Sequence, residues 1–326
     1  MNKKILIVSY NWKNIGGVQK RAELLKEKFS ESYNIEHIFM NSYIKFSIFK
    51  LDKLRTNITN FFKYRNKLKE YKIVIAFSSV PSLFSIVSNC RLISVITGST
   101  YHYKDSSFIS KLYWVFLLEP LIYLFSKKII PAAPHLVPFY IKKTVLHKKV
   151  NYINGFIDLN KLKSKTFSDN DLLCKFSNIN LENCICLSST LIGHKGIVEF
   201  LEIYLEYRDK FKNDYLSLII IGNGPILKDC FKFCINKGLN YEYNSKLFNI
   251  KNDIYFTGHI ENPISIIQKC RFFVMPSFHE GLSNQLLEAV YAGIPIIATN
   301  CLGNKFIYKK IAKENREYIN SQFLKL

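Results

Sequence analysis

The chain has 326 residues, 48% of them hydrophobic, with 46 Lys and Arg against 25 Asp and Glu and a formal net charge of +21. That length allows two domains with separate cores, and the apolar content excludes an intrinsically disordered chain. The charge is uneven: residues 1–157 hold 25 basic against 8 acidic side chains, residues 158–326 hold 21 against 17, so the first half suits an anionic partner such as nucleic acid, anionic lipid or a phosphorylated substrate.

In chain order, KILIVSY (residues 4–10) reads as a first strand, its apolar run too short for a signal peptide. A loop over 11–17 follows, then a helix whose Val18, Ala22, Leu25 and Phe29 share one side. Residues 35–40 (IEHIFM), 72–79 (KIVIAFSS), 91–99 (RLISVITGS) and 127–133 (KKIIPAA) are further strand candidates. Between the last two lies LYWVFLLEPLIYLF, residues 112–125, interrupted by Glu119-Pro120 and flanked by Lys111, Lys127 and Lys128. It is shorter than the ~20 residues of a membrane span. Two readings stay open for it: a buried helix pair broken at the proline, or an interfacial segment whose lysines meet lipid phosphates.

The seam between domains falls near residues 150–158 (VNYINGFID), and the polar stretch 163–184 reads as a linker or surface excursion. The same alternation then returns. Strand candidates are 183–190 (NCICLSST), 216–224 (LSLIIIGNG), 252–260 (NDIYFTGHI), 264–270 (ISIIQKC), 272–277 (FFVMPS) and 294–300 (IPIIATN), with helices between most of them. β-Branched runs alternating with helices point to parallel sheets buried on both faces, so the expected fold class is α/β with two doubly wound, Rossmann-like domains, 1–157 and 158–326.

Several function classes lose support here. No zinc-finger spacing, RNP motif or basic-zipper pattern is present, which leaves no specific nucleic-acid partner. Eight scattered cysteines without a Cys-x-x-Cys pair suggest neither a disulfide framework nor a zinc site, and fit a reducing cytoplasm. His135, His194, His259 and His279 have no spacing that suggests a metal site. Asp169-Asn-Asp171 has the Asp-x-Asp form of a metal motif, but it sits in a polar stretch with no preceding apolar strand and reads as a solvated loop.

Ligands of open α/β sheets bind beyond the carboxyl ends of the strands. Three glycine turns fall there: Gly16-Gly17, Gly222-Asn223-Gly224, and Glu280-Gly281-Leu282-Ser283-Asn284. Glycine admits a ligand close to the backbone, and the N–H groups at a helix start favour an anion. If Ser283 or Asn284 caps the last of these helices, Asn284 and Glu288 share a face while Glu280 stays in the loop. Two carboxylates for hydroxyls and backbone donors for phosphate suit a nucleoside diphosphate sugar. The same spacing also fits Glu288 as a solvated helix-face residue.

The stretch EGLSNQLLEAVYAGIPIIAT resembles the signature of retaining glycosyltransferases of family 4, with Glu280 and Glu288 separated by seven residues. IGGVQ, INGFID, LIGHKGI, IIIGNGP, IYFTGHI and MPSFHEG resemble the family's remaining landmarks in their expected order. The resemblance implies a GT-B fold with the active site in the cleft of an N-terminal acceptor-binding and a C-terminal nucleotide-sugar-binding domain. It implies that Glu280 contacts the transferred sugar, Glu288 holds the ribose hydroxyls, and Lys195 neutralises the diphosphate, assisted by N–H groups near Ser283 and Asn284. Gly16 and Gly17 would approach the phosphates or the acceptor. Gly281, Leu282, Thr190, Gly222 and His259 complete the expected donor-binding set. The resemblance also implies that no cofactor or metal is needed, and the chemistry explains how: a lysine and a helix end can supply the charge that a divalent cation supplies elsewhere.

Three departures stand beside this resemblance. Thr190 occupies the place of a family Arg five residues before the Lys. His102 stands a few residues from the position of a family His, either as its shifted equivalent and a catalytic residue or as an ordinary loop His. Only residues 301–326 follow the IPIIAT strand, so the C-terminal end is expected to be shortened and to lack a closing strand. The resulting expectation is a metal-independent, hexosyltransferase-type enzyme of the cytoplasm or the inner face of the membrane. It would transfer a sugar from a nucleotide-sugar to a glycan acceptor hydroxyl, lipid-linked or a lipopolysaccharide or capsule precursor, near an anionic membrane surface. The alternative is a truncated GT-B protein, weak or inactive, that binds nucleotide sugar or membrane.

Overall fold

The structure is a computed structural model that describes residues 4–10, 17–40, 51–88, 90–96, 118–132, 136–138, 149–151, 173–211, 214–249, 252–314 and 323–325. The chain divides into two compact units, Met1–Ile157 and Asp158–Leu326.

In the first unit, β1 (Lys4–Ser9), β2 (Asn34–Phe39), β3 (Ile73–Phe77), β4 (Arg91–Ile96) and β5 (Lys128–Pro131) form one parallel sheet in the order β2-β1-β3-β4-β5. Successive residues of β1 serve opposite faces, as the two-residue period of a strand requires. Leu6 and Val8 join Val74, Ala76 and Leu92 on one side; Ile7 joins Phe77, Val95 and Ile130 on the other. The described helices are α1 (Gly17–Phe29), α2 (Leu51–Lys69), α3 (Ser79–Ser85) and α4 (Glu119–Phe125). Pro120 lies in the first turn of α4, where its missing N–H costs nothing, so it opens this helix. Pro131 ends the edge strand β5, where the N–H that proline lacks is not required by a further strand.

In the second unit, β6 (Cys184–Ser188), β7 (Ser217–Ile221), β8 (Tyr241–Tyr243), β9 (Ile254–Gly258), β10 (Phe272–Met275), β11 (Ile296–Ala298) and β12 (Phe323–Lys325) form a second parallel sheet, ordered β12-β11-β10-β6-β7-β9-β8. β6 and β9 are buried along their whole length. Cys184 and Cys186 pack on one face with Ile219, Tyr255 and Phe273; Ile185 and Leu187 pack on the other with Leu218, Phe256 and Val274. Helices α5 (Ile197–Phe211), α6 (Leu227–Asn236), α7 (Ile264–Ile267), α8 (Asn284–Ala292) and α9 (Leu302–Glu314) connect the strands.

Three expectations are corrected. Residues 264–267 of ISIIQKC form α7 with all four side chains buried; an apolar run without periodicity cannot separate a buried strand from a buried helix turn. The supposed linker contributes to the core, since Phe176 and Leu181 are buried and Phe176 packs against Phe248 with ring centroids 5.0 Å apart. A strand does follow IPIIAT: β12 pairs with β11 through Ile296↔Phe323 and Ala298↔Lys325. All eight cysteines are free thiols. Among the described residues, no helix is long and apolar enough to cross a membrane.

Candidate active site

Strand order fixes where a site can form in the second unit. β6 and β10 are neighbours, with Phe272 beside Ile185 and Phe273 beside Cys186. From β6 the chain runs on to β7 on one side; from β10 it runs on to β11 on the other. The two outgoing connections diverge, and the carboxyl ends of β6 and β10 between them are the usual ligand position in a doubly wound sheet.

Lys195 enters from the β6 side, at the end of a 3₁₀ turn over Gly193–Lys195. Glu280 enters from the β10 side, in the loop before α8. Lys195 Nζ donates to Glu280 Oε1 at 2.6 Å, with side chains only 13% and 7% exposed. Two loops separated by 85 residues thus bring a cation and an anion together at the switch point.

Backbone contacts hold the loops in that position. The Phe278 N–H donates to the His194 carbonyl at 3.0 Å. Gly196 has φ +65°, and a Cβ there would lie 2.4 Å from the Pro276 carbonyl oxygen. Only glycine lets the β6 loop approach this closely in this left-handed conformation. The next loop packs just as tightly. Gly222 has φ +141°, and a Cβ on it would stand 1.8 Å from the Ser189 carbonyl oxygen. Leu191 N–H donates to the Asn223 carbonyl, and Gly222 N–H to that of Gly258.

Ser283 is the N-cap of α8: its backbone is extended and its Oγ accepts the Leu286 N–H at 3.2 Å. This selects Ser283 from the two candidate caps. The positive end of α8 therefore points into the loop that carries Glu280, where it favours an anionic ligand. Asn284 is the first helical residue and Glu288 lies one turn further on, both half-buried.

The other expected residues fall as follows. Gly281 is half-buried in the Glu280 loop, and Leu282 packs against the core. Thr190 is half-buried beyond β6, and its carbonyl accepts the Ile192 N–H at 3.0 Å. His259 is exposed and follows Gly258, which faces Gly222 in an isolated bridge, so these two members of the set are neighbours. Gly17 is the first residue of α1 in the other unit. Gly16, His102, His135 and Asp169 to Asp171 lie outside the described residues.

Sequence reasoning missed the contribution of α9. A Cβ on Gly303 would lie 2.5 Å from the carbonyl oxygens of both Glu280 and Gly281. Cys301 sits close enough to Glu280 for the carboxylate to add to the effect of burial, which pushes its thiol pKa up. The Leu-Gly-Asn sequence at 302–304 carries no periodic signal, and only the close approach exposes its role. Among the described residues, no group of three His, Cys, Asp or Glu side chains is placed to hold a metal ion.

Two parallel-sheet Rossmann-like units, the second with a charged pair at its switch point, define the class: the fold is that of the GT-B glycosyltransferases. The comparisons with known proteins agree. Residues 182–317 match the family model described as glycosyl transferases group 1. The chain is 24% identical over 268 residues, 81% of its length, to a Campylobacter jejuni α-1,4-N-acetyl-D-galactosaminyltransferase named for an undecaprenol diphosphate-linked acceptor. It is 27% identical over 157 residues to an uncharacterized glycosyltransferase of Methanocaldococcus jannaschii, 48% of this chain. The matches span 65% and 35% of those two relatives' own lengths.

In fold, 94% of the chain superposes on 83% of Anabaena HepE, solved with UDP and glucose, at TM-score 0.64 and 14% identity. It covers 99% and 85%, respectively, in the comparison with WaaG, a glycosyltransferase of lipopolysaccharide biosynthesis, at TM-score 0.67 and 12% identity.

Proposed function

We propose that the chain is a retaining, metal-independent glycosyltransferase that moves a sugar from a nucleotide-sugar to a hydroxyl of a glycan acceptor. The observation that carries this reading is the Lys195–Glu280 pair at the β6/β10 switch point, before the capped start of α8. An ammonium has three donor hydrogens, so Lys195 can meet a diphosphate oxygen while Glu280 still orients it. As the leaving group departs, the charge developing on the diphosphate is met by Lys195 and the α8 N-terminus. The positive charge developing at the anomeric carbon is met by Glu280. Fixed charges of this kind act without reorganisation and are strongest where water is excluded. Glu288 would hold ribose hydroxyls from the helix face. The second unit would then serve the donor and the strongly basic first unit an anionic acceptor.

A lipid-linked, lipopolysaccharide or capsule precursor is the acceptor class this reading favours. The C. jejuni relative is named for an undecaprenol diphosphate-linked acceptor, and a Staphylococcus aureus relative, 26% identical over 191 residues, for capsular polysaccharide biosynthesis. The first unit offers a matching surface at the end of α4. Leu124 and Phe125 are 61% and 55% exposed beside exposed Lys127, and Lys149 Nζ caps the Leu124 carbonyl at 2.8 Å. Such a patch suits peripheral attachment to anionic lipid. The protein should therefore float with vesicles containing anionic lipid and be released by salt. Flotation with neutral vesicles alone, or none, contradicts the attachment.

The transfer assay tests the enzyme reading. With a turned-over donor, Glu280→Ala and Lys195→Ala should each lose about 100-fold or more in rate, and the product should keep the donor's anomeric configuration. Removing one partner leaves a buried lone charge, so the doubly substituted K195M/E280Q protein serves as the folded control and should also be inactive. Full transfer by either single variant refutes that residue's role. Donor binding without turnover, whatever the acceptor, would favour a nucleotide-sugar-binding protein, a reading kept open by Thr190 in the place of a second cation.

A further inference from the structure

We propose that the junction from β11 into α9 is the positioning element of the site: Thr299, Gly303 and Asn304 hold the Glu280 loop at the distance where its carboxylate meets Lys195. This rests on the reading of Lys195 and Glu280 as donor-site residues, and it assigns their geometry to Thr299, the last residue of the signature stretch, and to two residues beyond it, Gly303 and Asn304.

The bracket is continuous. Where β11 ends, Thr299 N–H donates to the Met275 carbonyl at 3.1 Å, and Thr299 Oγ1 donates to the Ser277 carbonyl at 2.5 Å. These bonds fasten the root of the Glu280 loop. Asn304, in the first turn of α9 and 3% exposed, donates through Nδ2 to the Thr299 carbonyl at 3.1 Å and approaches Thr299 Oγ1 at 3.3 Å. Its Oδ1 is buried and has no partner. Gly303 completes the bracket from the other side. A Cβ there would lie 2.5 Å from the Glu280 and Gly281 carbonyl oxygens and 2.7 Å from Glu280 Cβ. Those obstacles are backbone and the root of a side chain, which cannot swing away. Any larger residue at 303 must move Glu280.

Thr299, Asn304 and Gly303 touch neither reacting group, so a purely structural role would lower stability without a specific change at Lys195. The readout is therefore Lys195 itself. An amine-acylating reagent followed by mass spectrometry reports how freely its ammonium is exposed, with exposed Lys269 as the internal reference. Glu280→Gln sets the upper limit. In Thr299→Val and Asn304→Ala, Lys195 labelling should rise about 5-fold, the worth of one hydrogen bond, while Lys269 labelling stays constant. Thr299→Ser, which keeps the donating hydroxyl, should restore protection. In transfer, kcat should fall in the first two variants with little change in donor KM.

Unchanged Lys195 labelling in both Thr299→Val and Asn304→Ala overturns the proposal, as does unchanged labelling in Glu280→Gln. The labelling needs no turnover. A protein that shows the labelling pattern but no transfer supports the bracket and counts against the enzyme reading, so the two claims fail separately.

Discussion

A lysine and a glutamate 2.6 Å apart with little solvent around them do not stabilise a fold by much. Their mutual attraction is largely cancelled by the cost of removing both from water, whereas deleting one partner strands the other. In the proposed function such a pair is a preset arrangement of charge for a ligand. The glycines around it carry a measurable cost of the same geometry. Gly196 and Gly238 share nearly the same left-handed φ, +65° and +64°, but a Cβ on Gly238 meets nothing within 4 Å while one on Gly196 meets the Pro276 carbonyl at 2.4 Å. Alanine at either position pays the conformational penalty; only alanine at 196 must also push two loops apart. Gly196→Ala should destabilise the protein by about 1–3 kcal/mol more than Gly238→Ala in denaturant titrations. Equal losses would show that the β6 and β10 loops are not in firm contact.

The elements show where the sequence was legible and where it was not. Strands such as CICLS and IYFTG, buried along their whole length, announce themselves by short runs rich in apolar residues, and the start of α8 was marked by the Ser283-Asn284 pair, between which the structure selects Ser283. α7 was misread because four consecutive buried residues have no period. β8 and β12, three residues each at opposite edges of the sheet, are too short to carry a pattern and exist through pairing with β9 and β11. Phe176 and Leu181 were hidden in a polar stretch because two isolated apolar residues mark a core only once Phe248 and its neighbours are in place. Glu280, Glu288 and Lys195 were legible through the resemblance, as residues in a motif. The contact between Lys195 and Glu280 depends on β6 and β10 being adjacent, a matter of strand order that no local window contains. The bracket depends on close contacts that form only in the fold: Thr299 lay within the signature stretch without a role, and Gly303 and Asn304 carried no signal.

For the molecule as a whole, two parallel sheets and an excess of positive charge in the first unit combine into one account. The second unit carries the charged pair and the helix terminus to which the proposed function assigns a nucleoside diphosphate. The first carries most of the basic excess, suited to an anionic acceptor or surface. The donor half stands or falls without knowledge of any acceptor. Calorimetric titration of the intact protein with UDP, GDP and ADP and their sugar conjugates is the most direct measurement. The account predicts saturable one-to-one binding of at least one nucleotide, weakened about 10-fold or more by Lys195→Ala, as the loss of a charge-assisted hydrogen bond requires. No binding by the wild-type protein, or equal affinity in Lys195→Ala, would contradict it.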